Sequence, residues 1–290
     1  MGPIVKGALL IALTAAIAWG QEPQGVSMSP PNPVFPSDAQ PTDAKLLEAV
    51  CPGHVVVGAD VACDAGCPVF TGHSPEPFSW QLVSVIRGNF IAPNSDDAVL
   101  WMAGCEPPSE NFGGTILLTR KPDGWIMLWY KAGVETSRCH KTLVPSTREV
   151  LVCVGQYGGQ GFVWTDLFLE DLLAPAPVLM ATEGEEFFSV FDDINALECD
   201  EPLQRGGIEK VEFGTAANVG PLLLVTASLG RKSLTPEEKE TCEDMVSAAK
   251  PRHEIDIFPA TKSYHLEFSY NGRNFKPTPE SVATARLFER

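Results

Sequence analysis

The sequence predicts a mainly β fold of antiparallel sheets with two or three short helices at the periphery. Glycine and proline are abundant, 25 of each in 290 residues, which suits a turn-rich β chain better than a helical one. Between their clusters lie short apolar or alternating runs of strand length, while helical periodicity is confined to a few brief stretches. A hydrophobic fraction of 44% and an aromatic fraction of 9% supply a packed core.

The N-terminus has the three parts of an export leader, residues 1–20. Lys6 is the charged part, Ala8–Ala18 the apolar run and Ala18-Trp19-Gly20 the small-x-small site before Gln21, with a cut after Ala18 as the close alternative. Residues 21–41 are rich in Pro, Ser and Gln and read as a disordered linker. A single β-rich domain is expected over 42–290. Thr42 is a candidate N-cap for a helix over Asp43–Val50 that Pro52-Gly53 ends. Val55–Val57 reads as a strand, and Asp60–Glu76 as a loop fixed by cysteines.

The chain is organised around Val83–Lys131. Strands are expected at Val83–Arg87, Ala98–Met102, Thr115–Thr119 and Trp125–Tyr130. The turns between them are Gly88-Asn89, Asn94–Asp96, Gly113-Gly114 and Pro122-Asp123-Gly124. Arg138–Leu143 and Val150–Val154 form a hairpin, Gln156–Gly161 a loop, and Phe162–Leu169 a strand. Ala174–Pro177 breaks the chain before weaker strands at Val178–Ala181 and Phe187–Phe191, around the acidic turn Glu183–Glu186. Gly206-Gly207 precedes a strand at Ile208–Phe213, and Pro221–Ser228 is apolar enough to be buried on both faces.

Thr235-Pro236-Glu237-Glu238 has the capping-box pattern and opens a helix reaching about Lys250, with Cys242, Met245 and Ala249 facing inward. Strands are expected next at His253–Phe258 and Tyr264–Tyr270. Asn271-Gly272 is a strong hairpin signal, and Thr278-Pro279-Glu280 opens a last helix with Val282, Ala285 and Phe288 on one face.

Eight cysteines lie beyond the leader. An even count in an exported chain points to disulfides and to a secreted or periplasmic location. Cys139 and Cys153 fall opposite each other across their hairpin, and Cys199 with Cys242 ties a loop to a helix. Cys51, Cys63, Cys67 and Cys105 pair among themselves in an order the sequence leaves open. A metal reading of Cys63-Asp-Ala-Gly-Cys67 with His73 lacks the usual second ligand pair, so the disulfide reading is preferred.

The formal charge of −16 works against nucleic acids and anionic membranes, and losing Lys6 with the leader makes it more negative. No apolar run after the leader is long enough to span a bilayer.

Val85-Ile86-Arg87-Gly88-Asn89-Phe90 leads into Asp96-Asp97-Ala98-Val99-Leu100. Ile208-Glu209-Lys210-Val211-Glu212-Phe213 leads into Pro221-Leu222-Leu223-Leu224-Val225 on a similar plan. The pair resembles degenerate FG-GAP/VCBS-type β-repeats of exported bacterial proteins, which build propeller blades. The resemblance implies β-blade topology, so the sheets are expected to form an incomplete propeller or a β-sandwich. That family's calcium-binding aspartates are absent from the second loop, Gly214–Gly220.

Chemical signatures are sparse. The five histidines, His54, His73, His140, His253 and His265, form no metal-binding pair, and there is no G-x-S-x-G. Gly155–Gly161 lacks the Lys-Ser/Thr of a P-loop and precedes a strand. Glu185-Glu186 and Asp192-Asp193 read as solvated turns rather than glycosidase carboxylates. No catalytic residue, cofactor or metal is assigned. Trp125 and Trp129 are the ligand-binding candidates, because aromatic faces can stack on sugar or clasp peptide. They share strand parity, and a strand buried on both sides is the competing reading. The expected function is a binding or structural component with a protein or carbohydrate partner, and the alternative is a secreted hydrolase.

Overall fold

The computed structural model describes residues 35–68, 71, 80–107, 113–145, 148–159, 162–170, 172, 185–193, 199, 202–216, 220–247 and 260–289. Three antiparallel sheets succeed one another along the chain. The leader, most of the linker, His73, Ala174–Pro177, Val178–Ala181, Ala249 and His253–Phe258 lie outside the described residues.

The first sheet holds β1 (Val55–Val57), β2 (Val61–Cys63), β3 (Trp80–Gly88), β4 (Asp97–Ala103), β5 (Gly113–Lys121) and β6 (Gly124–Ala132) in sequence order. The second holds β7 (Cys139–Leu143), β8 (Glu149–Gly159), β9 (Phe162–Glu170) and β10 (Glu185–Asp192). The third holds β11 (Leu203–Ala216), β12 (Gly220–Lys232), β13 (Lys262–Tyr270) and β14 (Phe275–Pro277). Each strand pairs with its neighbour in the chain, so all three sheets are meanders. The helices are short: α1 (Ala44–Leu47), α2 (Pro236–Ser247) and α3 (Val282–Ala285).

The apolar clusters show how the sheets stack. Leu46 and Leu47 of α1 pack with Trp80, Leu100, Ile116 and Leu118 on one face of the first sheet. Ile86, Val99 and Leu117 on its other face meet Leu151 and Cys153 of the second. The second sheet's far face, with Val152, Leu167 and Phe188, packs on Val211, Leu223 and Phe268 of the third. The first sheet is therefore covered on both sides. That is why β4 and β5 are almost continuously buried, each large apolar side chain contributing about 1.5–3 kcal/mol.

The outer face of the third sheet has no such cover. β12 alternates buried and accessible residues, and Leu224 is 42% exposed. The expectation that Pro221–Ser228 is buried on both faces is corrected by that open side.

Other expectations move at their edges. Asp43, not Thr42, caps α1, accepting from the Lys45 N–H at 3.0 Å. The cysteine-fixed loop contains β2. Gly113 and Gly114 begin β5 rather than forming a turn. A Cβ at Gly113 would collide with Met102 O, and one at Gly114 would lie 2.5 Å from the Tyr130 hydroxyl, so both places need glycine. Gly206 and Gly207 lie inside β11, and Gly155–Gly159 continue β8 instead of forming a loop. Asn271–Asn274 is a longer turn in which Asn271 Oδ1 accepts from the Arg273 and Asn274 N–H groups. The last helix is a single turn that starts at Val282, after Thr278 O accepts from the N–H groups of Ser281 and Val282.

The capping box at α2 forms as its spacing predicts. Glu238 N–H donates to Thr235 Oγ1 at 3.2 Å, and Thr235 N–H donates to Glu238 Oε2 at 2.9 Å.

Four disulfides join Cys51 to Cys63, Cys67 to Cys105, Cys139 to Cys153 and Cys199 to Cys242. The second and third sheets are further joined by polar contacts. Asp193 Oδ1 accepts from Gln204 N–H at 2.9 Å and Asp192 Oδ2 from Gly206 N–H at 3.2 Å. Asp192 and Asp193 are buried, which corrects their reading as solvated.

Candidate functional site

Trp125 and Trp129 do not act together. The register slips between Leu117 and Leu118, which pair with Trp129 and Met127, leaving Leu128 as a bulge. A bulge residue inverts the facing of the residues beyond it. Trp125 and Met127 therefore join the α1 side, while Trp129 joins the core between the first and second sheets. The Arg87 and Arg120 guanidinium groups lie 5.4 and 5.7 Å from the Trp125 ring. Trp129 Nε1 donates to Leu172 O at 3.1 Å. The strand itself is an edge, with Ile126 and Leu128 exposed, so it is not buried on both sides.

The histidines are dispersed. His54 Nδ1 meets Asp64 at 3.2 Å, His140 Nδ1 meets Asp38 at 3.1 Å, and His265 Nδ1 meets Thr226 Oγ1 at 3.2 Å. Among the described residues, none of these joins a Ser or Cys hydroxyl or thiol to a carboxylate.

Asp97 in the first repeat-like loop also has a structural task. Its Oδ2 accepts from the Phe90 and Ile91 N–H groups at 2.8 and 2.9 Å and from Ser95 Oγ. The loop is thus folded around its own carboxylate.

The densest grouping of aromatic and titratable side chains is on β8, β9 and β10, on the face that looks toward the first sheet but beyond its packing. Directly paired residues share a face, so the register fixes three rows. Tyr157 pairs with Trp164 and Trp164 with Phe191. The next row is Gly155, Asp166 and Ser189, and the third is Cys153, Phe168 and Glu186.

In the first row the Tyr157 and Trp164 rings stack, with centroids 5.5 Å apart and planes 9° apart. Phe162 meets Trp164 edge-on at 4.9 Å, and Phe191 lies 4.4 Å from it. Phe191 is buried and Trp164 half-buried, but Tyr157 remains 44% exposed. The result is a platform whose outermost ring is open to solvent.

The second row lies beside that platform. Gly155 contributes no side chain, and a Cβ there would sit 3.1 Å from the Phe168 ring. Opposite it, Asp166 is only 7% exposed. Ser189 Oγ donates to Asp166 Oδ1 at 2.5 Å, and among the described residues Oδ2 has no hydrogen-bond donor.

The electrostatics are set by this placement. Burial pushes the Asp166 carboxyl up to about 6, the Ser189 hydrogen bond opposes the shift, and the Glu186 charge adds to it. Glu186 stays exposed along its flank, yet desolvation of its carboxyl raises it too. The Tyr157 hydroxyl is pushed up to about 12, first by burial and then by Asp166 and Glu186.

These residues were hidden in the sequence because Gln156–Gly161 reads as a loop. The usable signal was alternation: Gly155 and Tyr157 on one strand mirror Trp164 and Asp166 on the next.

A hollow of about 650 Å³ lies on the outer face of the third sheet. Leu224, Thr226 and His265 line it, with Glu212, Glu267 and Glu280 at its sides. Lys210 Nζ lies 2.8 Å from Glu212, so part of that charge is already answered.

Fold and site together define a disulfide-bonded protein of three stacked β meanders with an aromatic and carboxylate face on the second. No protein-family model matches the chain, and neither a curated protein nor a solved structure matches it.

Proposed function

We propose that this is an exported binding protein whose ligand docks on the Tyr157–Trp164 face of the second sheet. Every one of the eight cysteines is in a disulfide, which suits an oxidising exterior or periplasm. Among the described residues no helix is long and apolar enough to cross a membrane. The tripartite pattern of residues 1–20 supports the same reading.

The observation that carries the proposal is the exposed Tyr157 ring held flat against Trp164. Such a ring is already immobilised, so a ligand stacking on it loses little conformational entropy. The test is an array of glycans and peptides probed with wild type and Tyr157→Ala. Ligands retained by the wild type and lost in the variant support the reading. An identical profile for both proteins overturns it.

A hydrolase is the second reading, and Asp166 favours it. One carboxyl raised beside another is how a general acid holds its proton to a higher pH than an ordinary carboxyl does. Glycoside turnover abolished by both Asp166→Asn and Glu186→Gln supports this reading, and turnover surviving either change overturns it.

A further inference from the structure

We propose that the ligand of this face carries an alkylammonium group, which seats over the Tyr157 ring with its charge directed at Asp166 Oδ2 and Glu186. This rests on the platform reading above and assigns its ligand class.

Several other buried or half-buried carboxylates among the described residues have a partner suited to an anion. Glu170 is 3.0 Å from Lys131 Nζ, Asp43 is 2.6 Å from Arg87, and Glu149 is 3.6 Å from Lys141. Asp97, Asp192 and Asp193 accept from backbone N–H groups. Asp166 differs from all of these. It has a neutral hydroxyl on one oxygen and no donor on the other among the described residues. Among those residues, neither it nor Glu186 has a cationic side chain as partner.

A desolvated carboxylate without a cation is costly to keep, and the cost is removed when a ligand supplies the cation. The rest of the face suits the same guest. The exposed face of the Tyr157 ring is electron-rich, and a ring face is what attracts an ammonium ion. A neutral sugar would gain from the stacking but would leave the two negative charges unanswered. An anion is excluded by them.

The test is calorimetric titration of the oxidised full-length protein at constant ionic strength. The probes are choline, a peptide carrying one trimethyllysine, and the neutral disaccharide cellobiose. Wild type is expected to bind both ammonium probes. Asp166→Asn and Glu186→Gln, each confirmed folded by a cooperative melt, are expected to weaken them by about tenfold. Tighter binding of the peptide assigns the ammonium to a protein partner, whereas equal binding assigns it to small amines. Should Asp166→Asn fail to fold, the exposed Glu186 carries the comparison alone.

Cellobiose bound through Tyr157, with no response to the two acid substitutions, overturns the ammonium assignment and leaves the platform standing. No binding of any probe, or choline binding unchanged in Tyr157→Ala, overturns the assignment and the platform together.

Discussion

Asp38 Oδ2 lies 3.1 Å from His140 Nδ1 and accepts the Lys141 backbone N–H at 2.7 Å. One carboxylate thereby fixes the first described segment of the chain to the second sheet. The same segment reaches the other two sheets. Gln40 N–H donates to Val85 O at 2.8 Å, and the Phe35 ring meets Phe213 at 5.8 Å. The His140 ring itself lies tilted against Phe213, with centroids 3.9 Å apart. Phe35, Asp38 and Gln40 thus make tertiary contacts within the stretch whose composition marks a linker.

Asp38→Ala should loosen this strap. It leaves the Lys141 N–H without its acceptor, which costs about 1–3 kcal/mol, and urea unfolding measures the loss. Faster hydrogen exchange at Gln40 and Val85 locates it. An unchanged unfolding curve would show that the strap carries no stability.

The His140 ring adds a pH dependence. Burial lowers its pKa, against the opposing pull of Asp38, with Lys141 lowering it further. The unfolded chain then binds the proton at higher pH than the folded one. Stability is therefore full above about 6.5 and falls as pH drops through the folded value. Relative to His140→Phe, the wild type should lose stability between about pH 7.5 and pH 5. A difference that stays constant over that range would contradict the buried neutral ring.

The helix α2 depends on one disulfide. It packs through a small cluster of Leu203, Leu234, Cys242 and Cys199, and Cys199–Cys242 closes a separation of 43 residues. A helix this short is marginal on its own, even with the capping box intact. Replacing both cysteines by serine should remove about 2–4 kcal/mol. Hydrogen exchange should rise across Pro236–Ser247 first, with β4 and β5 still protected. Uniform loss of protection would mean that the helix is integral to the core.

The bulge at Leu128 separates what the two tryptophans do, so their substitutions should differ. Trp129→Phe removes the hydrogen bond to Leu172 O, at about 1 kcal/mol beyond lost packing. Trp125→Phe keeps an aromatic ring near Arg87 and Arg120 and should cost less. Thermal melts of the two variants decide it, and equal losses would put both rings in equivalent surroundings.

This bulge also shows where sequence reading stops. Strand positions, the capping box and the Cys139–Cys153 pairing are legible from local alternation, turn residues and spacing. The facing of Trp129 is not, because one extra residue at Leu128 inverts it and leaves no compositional trace. The same limit applies to Gly113, Gly114 and Gly155, which look like turn residues but are strand positions where another group approaches or must be admitted. The candidate site fell to both effects at once. Its Gly-rich strand reads as a loop, and Glu186 and Ser189 reach their places across the bulge at Phe187.

Asp166 gives the sharpest stability prediction, because its sign is unusual for a carboxylate. Its pKa rises from 3.8 to about 6, with burial the leading cause. As pH rises, the unfolded chain gives up this proton before the folded one does. The favourable contribution is present below about 3.8 and is lost as pH rises through about 6. At neutral pH the ionised, poorly solvated carboxylate weakens the fold by on the order of 2 kcal/mol. Asp166→Asn keeps the shape and removes the charge. It should raise the unfolding free energy at about pH 7.5 by roughly 1–3 kcal/mol and change it little near pH 4. Urea titrations at the two pH values measure this directly. A variant no more stable than wild type at the higher pH would mean that the carboxyl is better solvated than its burial indicates. A gain would mark Asp166 as a residue that weakens the fold where it stands, the pattern expected of a group kept for binding rather than for packing.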